Sequence, residues 1–516
     1  MSGRLSKAAS FIASYPGPFY IIVLAVVGLA QTANFMAFAY GGAWVQTVLP
    51  TYTHVLSLTI GTIFLFRAVQ LVFALLWASF VGCPPPPPPY SRDRLDLPIV
   101  TVQIPVRNEP LSVARTAIDA ALALDYPCDR LEIQVLDNSD STEFSEPIED
   151  YLNRRAREAK AAGDCPEVTF LHRDGTRGFK AGNLNLGLSV ARGSVFLVLD
   201  ADSSVPSDAL LTALPYFEDP NLGLVQLRID PTNEDENIIT RAAAITIRAR
   251  YMTMRVRDTQ GIVQFDGHNG LIRREALEAV GGWAEEVSED LATSVRMILA
   301  GYTARYAELP SGELLPTGFQ ELYKQRRRWS LGTVNFLKQD GLAILKSKQL
   351  RWFQKLDLFY ASLNILVEAL AWIVIFTFAA LPVTTFLEIV FVFSVLPTLL
   401  SSGLGLAGTL KRQLSVIFVI SAILPALVEG AAKGLLGGSS QFAVTRKNDA
   451  KRLSLGELVW GHRFSICAAA LFFTVAIILA PGVGNYVNSY LPGTVIMSAS
   501  VLAPLILNYW RGEKSG

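Results

Sequence analysis

Three short runs concentrate the side chains able to do chemistry. Asp200-Ala201-Asp202 follows five apolar residues, Val195 to Leu199. Two carboxylates this close repel each other, and a divalent cation with oxygen ligands relieves the repulsion. A magnesium-like ion bridges a few carboxylates and substrate phosphates, so a nucleotide diphosphate is the expected partner. Acidic turns after strands are also common as solvated features, and it is the position after VFLVL that favours the chemical reading. Ser288-Glu289-Asp290 opens an amphipathic segment and reads first as a helix cap, with Ser at the N-cap and acids in the first turn. Gln325-Arg326-Arg327-Arg328-Trp329 pairs arginines, which suit a diphosphate, with a flat ring on which a sugar stacks. The plainer alternative there is a solvated or lipid-facing helix.

The elements that must position these runs are embedded in an unusual composition. The chain has 516 residues, 51% hydrophobic and 17% charged, with a mean hydropathy of +0.34. Soluble domains carry about 25% charged residues. Residues 19–81 hold a single charged side chain, Arg67, whereas 91–355 are as charged as a cytosolic enzyme. The pattern is that of a membrane protein with a large soluble domain in its middle, and it excludes disorder, collagen and a secreted disulfide scaffold. Lys+Arg and Asp+Glu both number 45, so no basic excess invites nucleic acid. Cys83, Cys128, Cys165 and Cys467 form no CxxC pair, and His54, His172, His268 and His462 are dispersed. Free thiols in a reducing compartment are expected, and zinc is not.

A helix needs about 20 apolar residues to span a bilayer. Residues 19–40 and 55–81 meet that before the soluble domain, and 356–381, 384–409, 414–436, 464–482 and 490–510 follow it. Arg4 and Lys7 place the N-terminus inside. Lys411 and Arg412 precede 414–436, and Arg446, Lys447, Lys451 and Arg452 follow it. Both ends belong inside, so this stretch, with Pro425, Glu429 and Lys433, is expected to lie in the interface rather than cross. Six spans remain, with both termini and the soluble domain cytoplasmic. The polar pairs Arg67 and Gln70, and Asn364 and Glu368, each share one helix face. They line a pathway or lock two helices together.

Pro84 to Pro89 form a stiff spacer. Runs at 98–105, 131–137, 167–172, 194–200 and 223–228 read as strands, and 110–124, 142–162, 180–192 and 207–218 as helices. Such alternation predicts a parallel α/β sheet, whose ligands bind beyond the carboxyl ends of the strands. The expected organisation is a membrane region at 1–83, a proline-rich linker at 84–97 and the catalytic domain at 98–335. Interfacial helices at 336–355, two spans at 356–410, an interfacial helix and loop at 411–463, and two spans and a tail at 464–516 complete it.

Seven motifs in order, QIPVRNEP (103–110), QVLDNSD (134–140), GFKAGNLN (178–185), LVLDAD (197–202), FDGHNG (265–270), SED (288–290) and QRRRW (325–329), resemble the family 2 membrane glycosyltransferases. These include the cellulose synthases and the cellulose-synthase-like, curdlan, chitin and hyaluronan synthases. Residues 442–447, FAVTRK, resemble the gating loop of the cellulose-synthase branch. The resemblance implies a multi-pass α-helical membrane protein carrying a cytosolic α/β, Rossmann-like glycosyltransferase-A domain. It implies that Glu109, Asp137 and Lys180 hold the nucleoside of the donor. Asp200 and Asp202 would hold Mg2+ or Mn2+ on the diphosphate, and Gln325 and Arg328 would grip it. Asp290 would be the general base. Phe265, Asp266, Gly267, His268, Glu289 and Trp329 would frame the acceptor sugar, and Phe442, Val444, Thr445 and Lys447 would close over the nucleotide.

Departures from the family pattern are SED for TED, Asn138 where a second carboxylate is common, and Asp266 and His268 in FDGHNG. The expected activity is processive, inverting polymerisation of a sugar, from UDP-glucose to a β-glucan, with export of the polymer across the lipid bilayer. GDP-mannose or UDP-N-acetylglucosamine as donor, and a non-processive enzyme with a lipid acceptor, stand as alternatives. Partners are the nucleotide sugar and the growing polysaccharide, with room for a homo-oligomer or export subunits.

Overall fold

The computed structural model describes residues 85–359 apart from 162, 164, 165 and 176, together with 406–437, 454–463 and scattered positions up to 506. The central domain opens with β1 (Val100–Val106), α1 (Leu111–Leu122), β2 (Leu131–Asp137), α2 (Thr142–Ala161) and β3 (Glu167–His172). It continues through α3 (Phe179–Val190), β4 (Val195–Val198), α4 (Ala209–Ala213), β5 (Leu222–Pro231), α5 (Ile238–Gln260) and β6 (Gly270–Arg273). Then follow α6 (Arg274–Ala279), α7 (Glu289–Leu299), β7 (Thr303–Glu313), α8 (Phe319–Lys346) and, further on, α9 (Leu406–Leu435).

The seven strands form one sheet in the order β3-β2-β1-β4-β6-β5-β7. β1 pairs parallel with β2 and β4, and β2 parallel with β3. Strands covered on both faces need continuous apolar character. Val100, Val102 and Ile104 on one face of β1 are fully buried, and so are Thr101 and Gln103 on the other. The polar pair finds partners across the register: Thr101 donates to Glu132 at 2.6 Å and the Gln103 amide N–H to Gln134 at 3.2 Å. Gly193 is required at the start of β4, where a Cβ would stand 2.6 Å from the Thr101 backbone nitrogen.

The expectation of an all-parallel sheet is corrected. β6 runs antiparallel to both β4 and β5, while β5 and β7 are parallel. β6 has only four residues, too few for period-2 alternation to show, and β7 carries Pro310 and Gly312, which mask it as a strand. The segment 207–218 is a five-residue helix followed by a 3-10 turn, Leu214–Glu218, with Pro215 near its start. Pro lacks the N–H that would continue the α-helix. Helix α5, 23 residues long, was not expected. It opens with a capping box in which Asn237 accepts from Ile239 and Thr240.

The boundary expected at 335 falls inside α8, which runs unbroken to Lys346. The helix expected at 414–436 begins earlier, at Leu406, inside the stretch expected to end a span at 409. It lies along α8. A Cβ on Gly430 would run into the Arg327 carbonyl oxygen, and one on Gly434 would lie 2.8 Å from Val334 Cβ. Ser330 donates to the Leu427 carbonyl at 2.6 Å, Tyr323 donates to Glu429 at 2.7 Å, and Lys338 donates to the Gly434 and Leu435 carbonyls at 2.7 and 2.8 Å. Lys338 therefore supports the C-terminal end of α9, where the Gly434 carbonyl also accepts the Gly437 N–H at 3.3 Å.

Among the described residues no helix is long and apolar enough to cross a membrane. The stretches at 19–40 and 55–81, nearly all of 356–381 and 384–409, most of 464–482 and 490–510, and Arg67, Gln70, Asn364 and Glu368 lie outside the described residues. Replacing Gly430 by Val should force α8 and α9 apart. Overpacking of this kind costs about 1–3 kcal/mol, so thermal unfolding of the purified protein should move to lower temperature, whereas Gly456→Val, in open space, should not move it.

Candidate active site

The site is assembled where β1, β2, β4 and β7 end and β6 begins. Residues from these ends, from α5, from the start of α7 and from α8 line one cleft of about 340 Å³. It brings together Glu109, Lys180, Asp200 and Asp202 on the donor side, and Phe265 to His268, Glu289, Asp290, Gln325, Arg328 and Trp329 opposite. These residues lie up to 220 positions apart, from 109 to 329, and the sequence reading named all of them.

Lys180, in the first turn of α3, crosses from one side to the other. Its ammonium pairs with Asp200 and donates to the Gly267 carbonyl at 2.9 Å. Burial depresses the lysine pKa, but Asp200, Glu289 and Asp290 outweigh it and the net shift is upward. Asp202 is 4% exposed and accepts the Leu314 N–H at 2.8 Å. The turn thus offers two hard oxygen donors. Among the described residues no cluster of three acids, cysteines or histidines forms a complete cage. That donor set fits a magnesium or manganese ion that takes its remaining ligands from phosphate and water.

Gly267 has φ +91, and a Cβ there would lie 3.2 Å from Asp290 Oδ2. Both the left-handed conformation and the close carboxylate require glycine. Asp290 and Glu289 begin α7. Ser288 holds the N-cap position, but its side chain makes no cap bond, so the capping reading accounts for its place and not for its hydroxyl. Burial, opposed by the Leu291 N–H and Lys180, raises the Asp290 pKa. Burial and then the Asp290 charge push Glu289 up to about 7.

Asp137 is placed differently from the expectation. Asp137 is fully buried, accepts from Ser139 Oγ at 2.6 Å and lies 2.6 Å from His172 Nδ1. Its neighbour Asn138, not Asp137, stands on the cleft wall. Asp266 is held by Arg250 and by the Tyr251 hydroxyl at 2.9 Å. Phe265 is 2% exposed and packs against Trp283 at 5.8 Å. His268 reaches Ser203 Oγ and Glu313 at 3.3 Å each. Burial lowers its pKa, but Asp200 and Glu313 prevail and push it up to about 9. Arg326 stacks on Trp329 at 4.3 Å, and Arg327 turns away to Glu429 at 3.4 Å. Phe442, Val444, Thr445 and Lys447 lie outside the described residues.

Sequence reasoning missed Arg250, Tyr251, Glu313 and Gln226. Gln226 is fully buried in β5, accepts the Asp266 N–H at 2.9 Å and donates to the His268 and Asn269 carbonyls at 3.1 and 3.0 Å. One side chain thereby fixes the whole 266–269 loop. The only sequence signal was a glutamine in an otherwise apolar strand run.

A mixed α/β sheet with paired acids at its strand ends, a second acidic pair on a helix start and an arginine-rich helix defines a transferase cleft for a phosphorylated donor. Residues 101–281 match Glycosyl transferase family 2, and 195–394 match Glycosyl transferase family group 2. Glucomannan 4-beta-mannosyltransferase 2 of Arabidopsis thaliana is 30% identical over 274 residues, 52% of this chain and 50% of its own. Beta-monoglucosyldiacylglycerol synthase of a Synechocystis strain is 31% identical over 280 residues, 53% of this chain and 56% of its own. The solved mannosyltransferase PcManGT from Pyrobaculum calidifontis, in complex with GDP-Man and Mn2+, superposes with a TM-score of 0.48 at 19% identity, covering 74% of this chain and all of that one. The chain spans about half the length of the curated relatives it matches. Residues 101–394 thus carry a family 2 glycosyltransferase domain, and the sequence similarity of the chain is to the cellulose-synthase-like group.

The raised Glu289 pKa has a stability consequence of definite sign. Folding takes up a proton between the unfolded value of 4.5 and about 7, so stability falls as pH rises through that window. Glu289→Gln removes the titration. Its thermal midpoint relative to wild type should be lowest near pH 4 and should climb steadily to pH 8, as measured by calorimetry in constant detergent.

Proposed function

We propose that this enzyme is a processive, inverting β-glycosyltransferase, polymerising a hexose from a nucleotide-sugar donor at the cytoplasmic side and passing the polymer across the membrane. One observation carries this reading: Asp290 sits against the Gly267 turn while the Asp200–Asp202 turn and Gln325, Arg328 and Trp329 line the same cleft. A base for an acceptor hydroxyl and a cationic grip for a diphosphate therefore face one volume.

The acceptor hydroxyl oxygen attacks the anomeric carbon, and Asp290 takes its proton. The bond from that carbon to the diphosphate breaks, and its electron pair leaves with the phosphate oxygen. Arg328 and Gln325 meet the charge that develops there. A magnesium or manganese ion held by Asp200 and Asp202 would neutralise part of the same charge. Lys180 keeps Asp200 and Gly267 in register, and Trp329 offers its face to the acceptor ring. A single displacement inverts the anomeric centre, so an α-linked donor gives a β-linked product.

UDP-glucose, giving a β-glucan, is the donor proposed. The mannosyltransferase activity named for the Arabidopsis relative favours a mannose donor, GDP-mannose, as a second reading. The diacylglycerol-linked product named for the Synechocystis relative favours a lipid acceptor as a third. Offering each donor separately with magnesium or manganese, then digesting the product with linkage-specific hydrolases, separates them. High-molecular-weight product from one donor supports polymerisation, and a single sugar on lipid overturns it. Asp290→Asn should lower transfer by about 10²–10⁴ while leaving donor affinity near wild type; full retention of transfer would remove Asp290 as the base.

Membrane placement rests on the charge asymmetry around the apolar stretches. A reporter fused at Ser440 should read cytoplasmic, as should one at the C-terminus, and an external signal at Ser440 would overturn the interfacial role of 414–436.

A further inference from the structure

The base and the diphosphate grip stand on different helices, so their separation depends on how those helices pack. Asp290 lies in the first turn of α7, whereas Gln325, Arg328 and Trp329 lie on α8. Between the two, Ala292, Val295 and Ile298 pack with Phe336 and Ile344 in one apolar cluster. Apolar contact is non-directional, and this seam alone would let one helix slide along the other.

Two further contacts fix the register. At the cleft end, α8 comes so near that a Cβ on Gly332 would run into the Ser288 hydroxyl. Further along, Arg296 forks onto Asp340: Nε donates to Oδ1 at 3.0 Å and Nη2 to Oδ2 at 2.9 Å. Nη2 also donates to Glu286, in the loop that enters α7. Ser288 to Arg296 and Gly332 to Asp340 are both intervals of eight residues, about 12 Å of helix. The two helices therefore run side by side in the same direction, pinned at two matched points. Asp290 follows the first pin by two residues, and Arg328 precedes it by one turn. Asp340 is 8% exposed, and none of Glu286, Arg296 and Asp340 lines the cleft.

We propose that Arg296 is a positioning residue that sets Asp290 against Arg328, by locking the register of α7 on α8 through Asp340 with Glu286 as a second anchor. This rests on the reading above of Asp290 as base and Arg328 as part of the diphosphate grip. A slip of one residue would move Asp290 by about 1.5 Å along the axis, and a misplacement near 1 Å costs roughly 10²-fold in rate. Helix α8 is backed by Gly430 and Gly434 of α9, so loss of the fork moves α7 and leaves the grip in place. The effect falls on kcat, and donor binding does not involve Arg296.

Arg296→Gln, Asp340→Asn and the double variant test this in the whole chain. UDP-glucose, GDP-mannose and UDP-N-acetylglucosamine are offered separately, and release of the nucleoside diphosphate is followed. Arg296→Gln should lower kcat about 10²-fold, with the donor KM within about twofold. Asp340→Asn keeps one acceptor and should lower kcat about tenfold, the loss of one hydrogen bond to a charged group. The double variant should be no slower than Arg296→Gln, because both changes break one unit. Arg155→Gln breaks another ion pair, to Asp119 at 3.0 Å between α2 and α1, and should leave kcat within about twofold. Thermal unfolding checks that each variant is folded at the assay temperature, and Asp340→Asn decides where Arg296→Gln does not fold. A kcat near wild type in either single variant, losses that multiply in the double variant, a donor KM that rises in step, or an equal loss in Arg155→Gln would overturn the assignment. Full transfer by Asp290→Asn, or no turnover of any of the three donors by wild type, would overturn the reading of the cleft and this inference with it. Loss of transfer in Asp290→Asn beside an unimpaired Arg296→Gln would overturn this inference alone.

Discussion

The cleft depends on one largely enclosed cation, Lys180. Asp200 and the adjacent pair Glu289–Asp290 converge from two distant parts of the chain, and carboxylates at such density would repel one another apart or take up protons. Lys180 opposes both, paired with Asp200 and donating to the Gly267 carbonyl, although burial still leaves Glu289 and Asp290 with raised pKa values. Its ammonium compensates the acids electrostatically, and its hydrogen bonds tie β4 to the loop before β6. Only in a cleft whose charge is already balanced can Asp290 stay poised to accept a proton while phosphate enters nearby.

Around that cation the supports are layered. Gln226 holds the 266–269 loop through three backbone groups, and Arg250 and Tyr251 hold Asp266. Helix α9 presses two glycines against α8, so the helix bearing Gln325 and Trp329 has a backing along its length. Side chains that meet the substrate are thus held by others that never reach it, as tight positioning requires.

Much of the site was legible because its chemistry is local in sequence. Asp200 and Asp202 end an apolar run, Glu289 and Asp290 open an amphipathic one, and the arginines adjoin a tryptophan. Arg250 and Gln226 were not legible, because their role exists only once α5 and β5 cross under the loop at 265–269. Asp137 shows the reverse case. Its place at a strand end suggested a ligand, yet the turn closed by Ser139 and His172 buries it and brings Asn138 to the cleft instead. The parallel core β1 to β4 was read correctly from its apolar runs, whereas the antiparallel β6 was too short to announce itself.

That short strand has a mechanical meaning. Val195 to Val198 pair with Arg273 to Gly270 over four positions, and this ladder, together with the Lys180 bridge and the Gln226 bonds, sets how far the Gly267 turn stands from Asp200. A slip of one residue would displace the turn by about 3.3 Å and turn every side chain of β6 to the opposite face. The separation between leaving group and attacking hydroxyl is therefore stored as a register, a whole-number quantity that cannot drift gradually. Insertions elsewhere in the domain can reshape the walls of the cleft while the gauge between its two reacting halves stays fixed.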